Sequence, residues 1–268
     1  MAFTGKQLTT QLDADGTLTL QLNDKTWDDP KAGQVLIKVE ATPINPSDLG
    51  LLFASADTDN AVYSPGKVVA KMPENATRAM KARHGMAMPA GNEAAGIVVA
   101  AGEGCEHLMG KRIACVPGTA YGSYAYADPN MGFVVEDGVT AEQAASSFVN
   151  PMTALGFVET MKLEGYTGIV HAAAASNLGQ MLVKICLQDN IPLVNVVRSD
   201  AQVKLLKDLG ATHVLNMTDA DYMPKLIDAI AETKAMIGFD PIGGGTVASQ
   251  FLTAMEAAAS RGAAFSRY

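Results

Sequence analysis

The chain has 268 residues, 48% hydrophobic and 18% charged, which supplies apolar material for one large core or two smaller ones and excludes general disorder. Twenty Lys and Arg against 28 Asp and Glu leave a formal charge of −8, which repels polyanions and argues against a nucleic-acid partner. Cys105, Cys115 and Cys186 form no CxxC pair, which excludes a disulfide framework or zinc ribbon.

No apolar run approaches the roughly 18 to 20 residues of a membrane span. Met1–Gln7 lacks the apolar core of a signal peptide, so the expected location is cytoplasmic, with no membrane partner. From the start to about residue 135, short strand patterns are broken by Gly, Pro, Asn and Asp. Leu18, Leu20 and Leu22 alternate with Thr17, Thr19 and Gln21, and Val35, Ile37 and Val39 with Leu36, Lys38 and Glu40, the two-residue period of half-buried strands. Further strands are expected at 95–101, 112–116 and 123–127, together predicting a barrel-like β domain. Residues 53–88 interrupt the rhythm. Lys67, Lys71, Arg78, Lys81 and Arg83 stand there against Asp57, Asp59 and Glu74, so the segment is basic within an acidic chain. It reads as an insertion over the open face of the fold, either a solvated excursion or a lid for an anionic substrate.

Beyond residue 140 the period changes. Thr140 and Gln143 have capping-box spacing at the start of a helical stretch over 141–163. Strands at 168–173, 192–197, 212–216 and 235–240 then alternate with helices at 177–188, 200–209, 222–232 and 245–259. Repeated βα units predict a parallel sheet covered on both faces. The junction lies between 135 and 150, and the expected domains are 1–140 and 141–268.

Ile169–Ala172 supplies a strand, Ala173–Gly179 a tight turn, and Leu178, Met181, Leu182, Ile185 and Cys186 the apolar face of a following helix. This is the context for seating a pyrophosphate on a helix N-terminus. Of the three glycines in G-x-G-x-x-G only Gly179 is present; Ala174 and Ser176 replace the first two, so the Ser176 side chain must be accommodated. Ser176 and Asn177 add hydroxyl and amide donors. An ordinary packed βα turn would carry the same residues. Nineteen residues after Gly179, Arg198 and Ser199 stand at the end of the second strand, where an arginine and a hydroxyl suit a 2′-phosphate and an acid suits a ribose hydroxyl. NADP(H) is therefore expected, with NAD(H) as the alternative. Asp200 either turns toward the ribose or caps the next helix.

Four segments in order carry a resemblance: Ile44-Asn45-Pro46-Ser47-Asp48-Leu49, Pro89 to Val98, Phe148 to Leu155, and Ala173 to Gln180. Together they resemble the medium-chain dehydrogenase/reductase superfamily, in its zinc-independent quinone oxidoreductase and enoyl reductase branch. The resemblance runs from about residue 17 to the end. It implies an α/β chain with an N-terminal GroES-like β-barrel domain followed by a Rossmann doubly wound parallel sheet. It also places Asn45 and Thr153 near the nicotinamide, Ala174 and Ser176 to Gly179, including Asn177 and Leu178, near the pyrophosphate, and Arg198 and Ser199 near the adenosine ribose. Asp240, after the fourth strand, would border the cofactor. Each has a local alternative: Asn45-Pro46 as a turn, Thr153 as a helix cap, Gly243–Gly245 as a plain loop.

Zinc-dependent relatives carry a cysteine near Pro46-Ser47 and a histidine where Asn92 stands, so no metal is expected. His84, His107, His171 and His213 show no ligand spacing. Without a Lewis acid, hydride delivery to an already electrophilic acceptor is favoured, namely a quinone or α,β-unsaturated carbonyl. The resemblance also makes Tyr63, in the region where some enoyl reductases place a tyrosine, the candidate proton donor, with exposed loop packing as its alternative. The competing function is a catalytically inert nucleotide-binding or interaction protein on the same scaffold. Family members have six strands in the second domain, and four are read here, so the chain is expected to be truncated at its C-terminus. A small electrophilic molecule is the expected partner, and the full-length form is expected to be a homodimer or homotetramer.

Overall fold

The computed structural model describes residues 2–261, of which those up to 149 form one unit and those from 150 form the other. The first unit begins with β1 (Phe3–Leu12), upstream of any strand expected from alternation, paired antiparallel to β2 (Thr17–Trp27) from Phe3 opposite Trp27 to Leu12 opposite Leu18. Its alternation is hidden because two inward positions are polar. Gln7 donates to the Thr119 carbonyl at 2.9 Å and accepts from Lys25 Nζ at 2.6 Å, while Thr10 Oγ1 donates to the Leu52 carbonyl at 2.9 Å. Buried and hydrogen-bonded, these groups are tolerated where an unpaired one would cost about 1–3 kcal/mol.

The chain continues through β3 (Val35–Ala41), α1 (Pro46–Phe53), β4 (Asp57–Ser64), β5 (Lys67–Lys71), α2 (Glu74–Ala79), β6 (Met88–Pro89), β7 (Ala94–Ala101), β8 (Arg112–Cys115), β9 (Tyr124–Ala127), β10 (Gly132–Val134) and α3 (Ala141–Ala145). Two five-stranded sheets result, ordered β4-β5-β2-β1-β6 and β10-β8-β7-β3-β9. The segment 53–88 is neither a lid nor a loose excursion. Its β4–β5 hairpin extends the first sheet, with β5 antiparallel to β2 from Thr17 opposite Lys71 to Gln21 opposite Lys67. The acidic, solvent-facing β4 forms the edge, where charge discourages pairing with another chain. Lys71 and Arg78 meet Asp15 and Glu74 at 3.3 and 3.7 Å, so part of the segment's basic excess is paired.

The helix-rich stretch expected over 141–163 holds two helices, α3 and α4 (Val149–Leu163), with 146–148 between them. Thr140 Oγ1 accepts from Gln143 N–H and Gln143 Oε1 accepts from Thr140 N–H, which completes the capping box on α3. In the second unit β11 (Ile169–His171), α5 (Asn177–Gln188), β12 (Leu193–Val197), α6 (Asp200–Asp208), β13 (His213–Asn216), α7 (Tyr222–Thr233), β14 (Ile237–Phe239) and α8 (Val247–Ser260) alternate as expected. The strands form one parallel sheet, ordered β13-β12-β11-β14. One face packs Val170, Val194 and Val196 against α7 and α8; the other packs Ile169 and Val197 against α4, α5 and α6. The doubly wound α/β class follows from these two covered faces.

All three cysteines are buried, and burial pushes the Cys115 and Cys186 thiols up to about 12. Among the described residues no helix is long and apolar enough to cross a membrane.

His171 is fully buried beside Phe157 and opposite Asn195, with no hydrogen-bond partner on either ring nitrogen. Burial, slightly opposed by Asp240, lowers its pKa to about 4 from 6.5. At neutral pH the folded and unfolded imidazoles are both uncharged. Below about 6.5 the unfolded state binds the proton first, so stability falls as pH drops toward 4, by up to about 3 kcal/mol. Urea titrations from pH 7 to 4 are expected to show this loss for the second unit, and His171→Phe to reduce it. An unchanged slope in the variant would refute the assignment.

Candidate functional site

The turn after β11 is shaped by small side chains. Ala173 adopts φ +50°, Ser176 N–H donates to the Ala173 carbonyl at 2.9 Å, and Ala174 N–H reaches the Val196 carbonyl at 3.2 Å. Ser176 is the N-cap of α5, its Oγ accepting from Gly179 N–H at 3.1 Å, so its own O–H is left to donate outward. A Cβ on Gly179 would lie 2.1 Å from the Ala174 carbonyl oxygen. The glycine is what lets α5 begin against the strand.

A groove of about 320 Å³ opens beside this turn, lined by Ala172, Ala173, Ser176, Arg198 and Ile242 among others. Arg198 is exposed, with no ion-pair partner among the described residues, while its backbone N–H donates to Gln202 Oε1 at 2.9 Å. The residue that caps α6 is Ser199, whose Oγ accepts from Gln202 N–H at 3.4 Å; Asp200 instead accepts from Asn216 Nδ2 at 3.0 Å. Asp240 accepts from Ile242 N–H at 3.0 Å, making a turn after β14. Ala174 is buried beneath the turn, Leu178 packs into the core, Asn177 is exposed at the first turn of α5, and Thr153 is exposed on α4. The groove therefore brings together Ser176 and Arg198; it is not lined by Ala174, Asn177, Leu178, Ser199 or Asp240.

In the first unit a buried polar cluster gathers around α1. Asp48, the third residue of the helix, accepts through Oδ2 from Asn45 N–H at 2.9 Å and through Oδ1 from Asn92 N–H at 3.0 Å. Glu93 Oε1 accepts from Asn45 Nδ2 at 2.8 Å, and Oε2 from Phe148 and Val149 N–H at 3.0 and 2.8 Å. Asn45, Asp48 and Glu93 are 5%, 0% and 1% exposed, so two carboxylates shielded from water hold Asn45, Asp48 by its backbone N–H and Glu93 by its side-chain amide. Tyr121 donates to the Pro43 carbonyl at 3.1 Å, and burial, with Asp48 and Glu93 nearby, pushes its hydroxyl above the ordinary phenol range. Tyr63 lies elsewhere, 63% exposed on β4 and donating to the Thr58 carbonyl at 3.1 Å, so the structure does not bring it to the cluster. Ser47 Oγ accepts from Asn92 Nδ2 at 3.1 Å, a hydroxyl–amide pair and a poor donor set for zinc. Among the described residues no three His, Cys, Asp or Glu side chains converge as metal ligands.

Asp48 and Glu93 were not singled out as site residues by sequence reasoning. The available signal was the three-residue spacing of Asn45 and Asp48 around Pro46, which reads as a helix start.

Residues 31–150 match the alcohol dehydrogenase GroES-like domain. A quinone oxidoreductase of Salmonella typhimurium is 24% identical over 223 residues, covering 78% of this chain and 63% of the relative. The mitochondrial enoyl-[acyl-carrier-protein] reductase of Caenorhabditis elegans is 30% identical over 203 residues, covering 72% and 51%. A crystal structure of a Mesorhizobium loti protein assigned as an NADPH:quinone reductase superposes with a TM-score of 0.72 at 27% identity, over 94% of this chain and 71% of that one. The chain belongs to the medium-chain dehydrogenase/reductase superfamily, in its quinone oxidoreductase branch. As a member of this superfamily it spans 63% and 51% of the length of the two curated relatives above.

Proposed function

We propose that this protein is an NADP(H)-dependent, zinc-free oxidoreductase that reduces a quinone or an α,β-unsaturated carbonyl by direct hydride transfer. The observation that carries the reading is the groove in which the N-terminus of α5 and the Arg198 side chain face one space. Bound NADPH would supply the hydride. The residues present fit such a group: the N–H groups of Asn177 and Leu178 at the start of α5 and the helix dipole offset pyrophosphate charge, Gly179 keeps the backbone close, and Ser176 O–H donates to a phosphate oxygen. Arg198, unengaged by any carboxylate among the described residues, suits the 2′-phosphate that distinguishes NADPH from NADH. The names of the quinone oxidoreductase and enoyl reductase relatives support an electrophilic, small-molecule acceptor. Such an acceptor takes hydride without metal polarisation.

Arg198→Ala is expected to weaken NADPH binding by roughly tenfold or more and NADH by less than about twofold, as loss of a charge-assisted contact to one phosphate requires. Fluorescence titration with each nucleotide measures this, and equal weakening of both would sink the 2′-phosphate assignment. NADPH oxidation over a panel of benzoquinone, phenanthrenequinone and a simple enone tests the reaction itself. Tight NADPH binding with no turnover on any acceptor would favour the inert scaffold instead.

A further inference from the structure

A second cavity, of about 670 Å³, lies wholly within the first unit. That volume is in the range of small-molecule sites, roughly 300–1,000 Å³. Its walls are Leu8 of β1, Leu20 and Leu22 of β2, Leu52 and Phe53 at the end of α1, and Val68 of β5. The hairpin turn closes one side, where Leu22 N–H donates to the Gly66 carbonyl at 2.8 Å and so fixes the turn on β2. The basic insertion therefore helps build an apolar chamber.

The polar groups around the chamber are largely engaged by the protein itself. Ser64 Oγ donates to the Lys67 carbonyl at 3.1 Å, Ser123 Oγ accepts from Lys6 N–H at 2.9 Å, and Tyr121 donates to the Pro43 carbonyl at 3.1 Å. Lys6 Nζ is paired with Asp24 at 2.6 Å. Lys67 remains, an exposed ammonium with no ion-pair partner among the described residues. Although the chain carries 28 acidic residues, no carboxylate lines this cavity. An apolar interior with one unneutralised cation at its rim selects an apolar body with a single anionic end. A dinucleotide would find too few donors here.

We propose that this cavity binds a linear apolar molecule ending in a carboxylate, its chain against the leucine wall and its carboxylate toward Lys67. The site needs no nicotinamide and involves no bond-making, so it stands or falls separately from the proposed hydride chemistry. The test uses the full chain, ¹³C-labelled at leucine methyls and free of nucleotide, titrated with dodecanoate, dodecanol and dodecyltrimethylammonium. Dodecanoate is expected to shift the Leu8, Leu20, Leu22 and Leu52 methyls saturably and to bind more tightly than the cation. Lys67→Glu, an exposed change the fold can carry, is expected to weaken dodecanoate by about threefold to tenfold while leaving dodecanol unchanged. Val68→Trp, which fills the chamber, should weaken both. Shifts absent from the leucine wall, equal binding of carboxylate and trimethylammonium, or no effect of Lys67→Glu on dodecanoate would each overturn the proposal.

Discussion

Gly179→Val is expected to weaken NADPH binding by at least roughly 100-fold while the chain stays folded. The new Cβ would sit 2.1 Å from the carbonyl oxygen and 2.5 Å from the carbonyl carbon of Ala174, both backbone atoms that cannot swing aside. Either α5 backs away from β11 by about an ångström or the turn is rebuilt, and the first-turn N–H groups leave the place where a pyrophosphate would meet them. Overpacking of this kind costs about 1–3 kcal/mol, which a sheet covered on both faces can absorb. Fluorescence titration with NADPH, with far-ultraviolet circular dichroism as the check on folding, measures both effects. Undiminished affinity in a folded variant would refute the role of this turn.

Glu93→Leu should destabilise the first unit by about 3–5 kcal/mol. The carboxylate is 1% exposed and accepts from Asn45 Nδ2 and from the N–H groups of Phe148 and Val149, three donors that lose this acceptor together. Glu93→Gln keeps one oxygen but turns an NH₂ toward donors, so a smaller loss, roughly 2 kcal/mol, is expected. Trp27, the single tryptophan and 1% exposed in this unit, reports the transition in urea. A change below about 1 kcal/mol in Glu93→Leu would show that the cluster is incidental.

What could be read in the sequence was what is local. The βα alternation was visible because β12, Leu-Val-Asn-Val-Val, is buried on both faces and because Leu178, Leu182, Ile185 and Cys186 repeat at helical spacing on α5. The turn around Ser176 was visible for the same reason. β1 was missed because Gln7 and Thr10 point inward, their polarity matched by partners at Thr119 and Leu52 that no short window contains. The β4–β5 hairpin was missed because β4 is exposed on both sides and carries no alternation. Glu93 is a plain letter in a motif until Asn45, 48 residues away, and Phe148, 55 residues away, close on it. Tyr63 is a candidate only through the resemblance of its region to enoyl reductases, while Tyr121, which lies by the buried carboxylates, is separated from Pro43 by 78 positions.

The sealed sulfurs bear on a hazard peculiar to quinone and enone chemistry. Such acceptors are themselves alkylating agents, and they consume proteins by conjugate addition to ionised sulfur. Cys115 and Cys186, buried and held protonated with pKa values near 12, offer no such nucleophile at neutral pH. Were the chain to reduce such acceptors as proposed, these two positions would be spared arylation by the substrate.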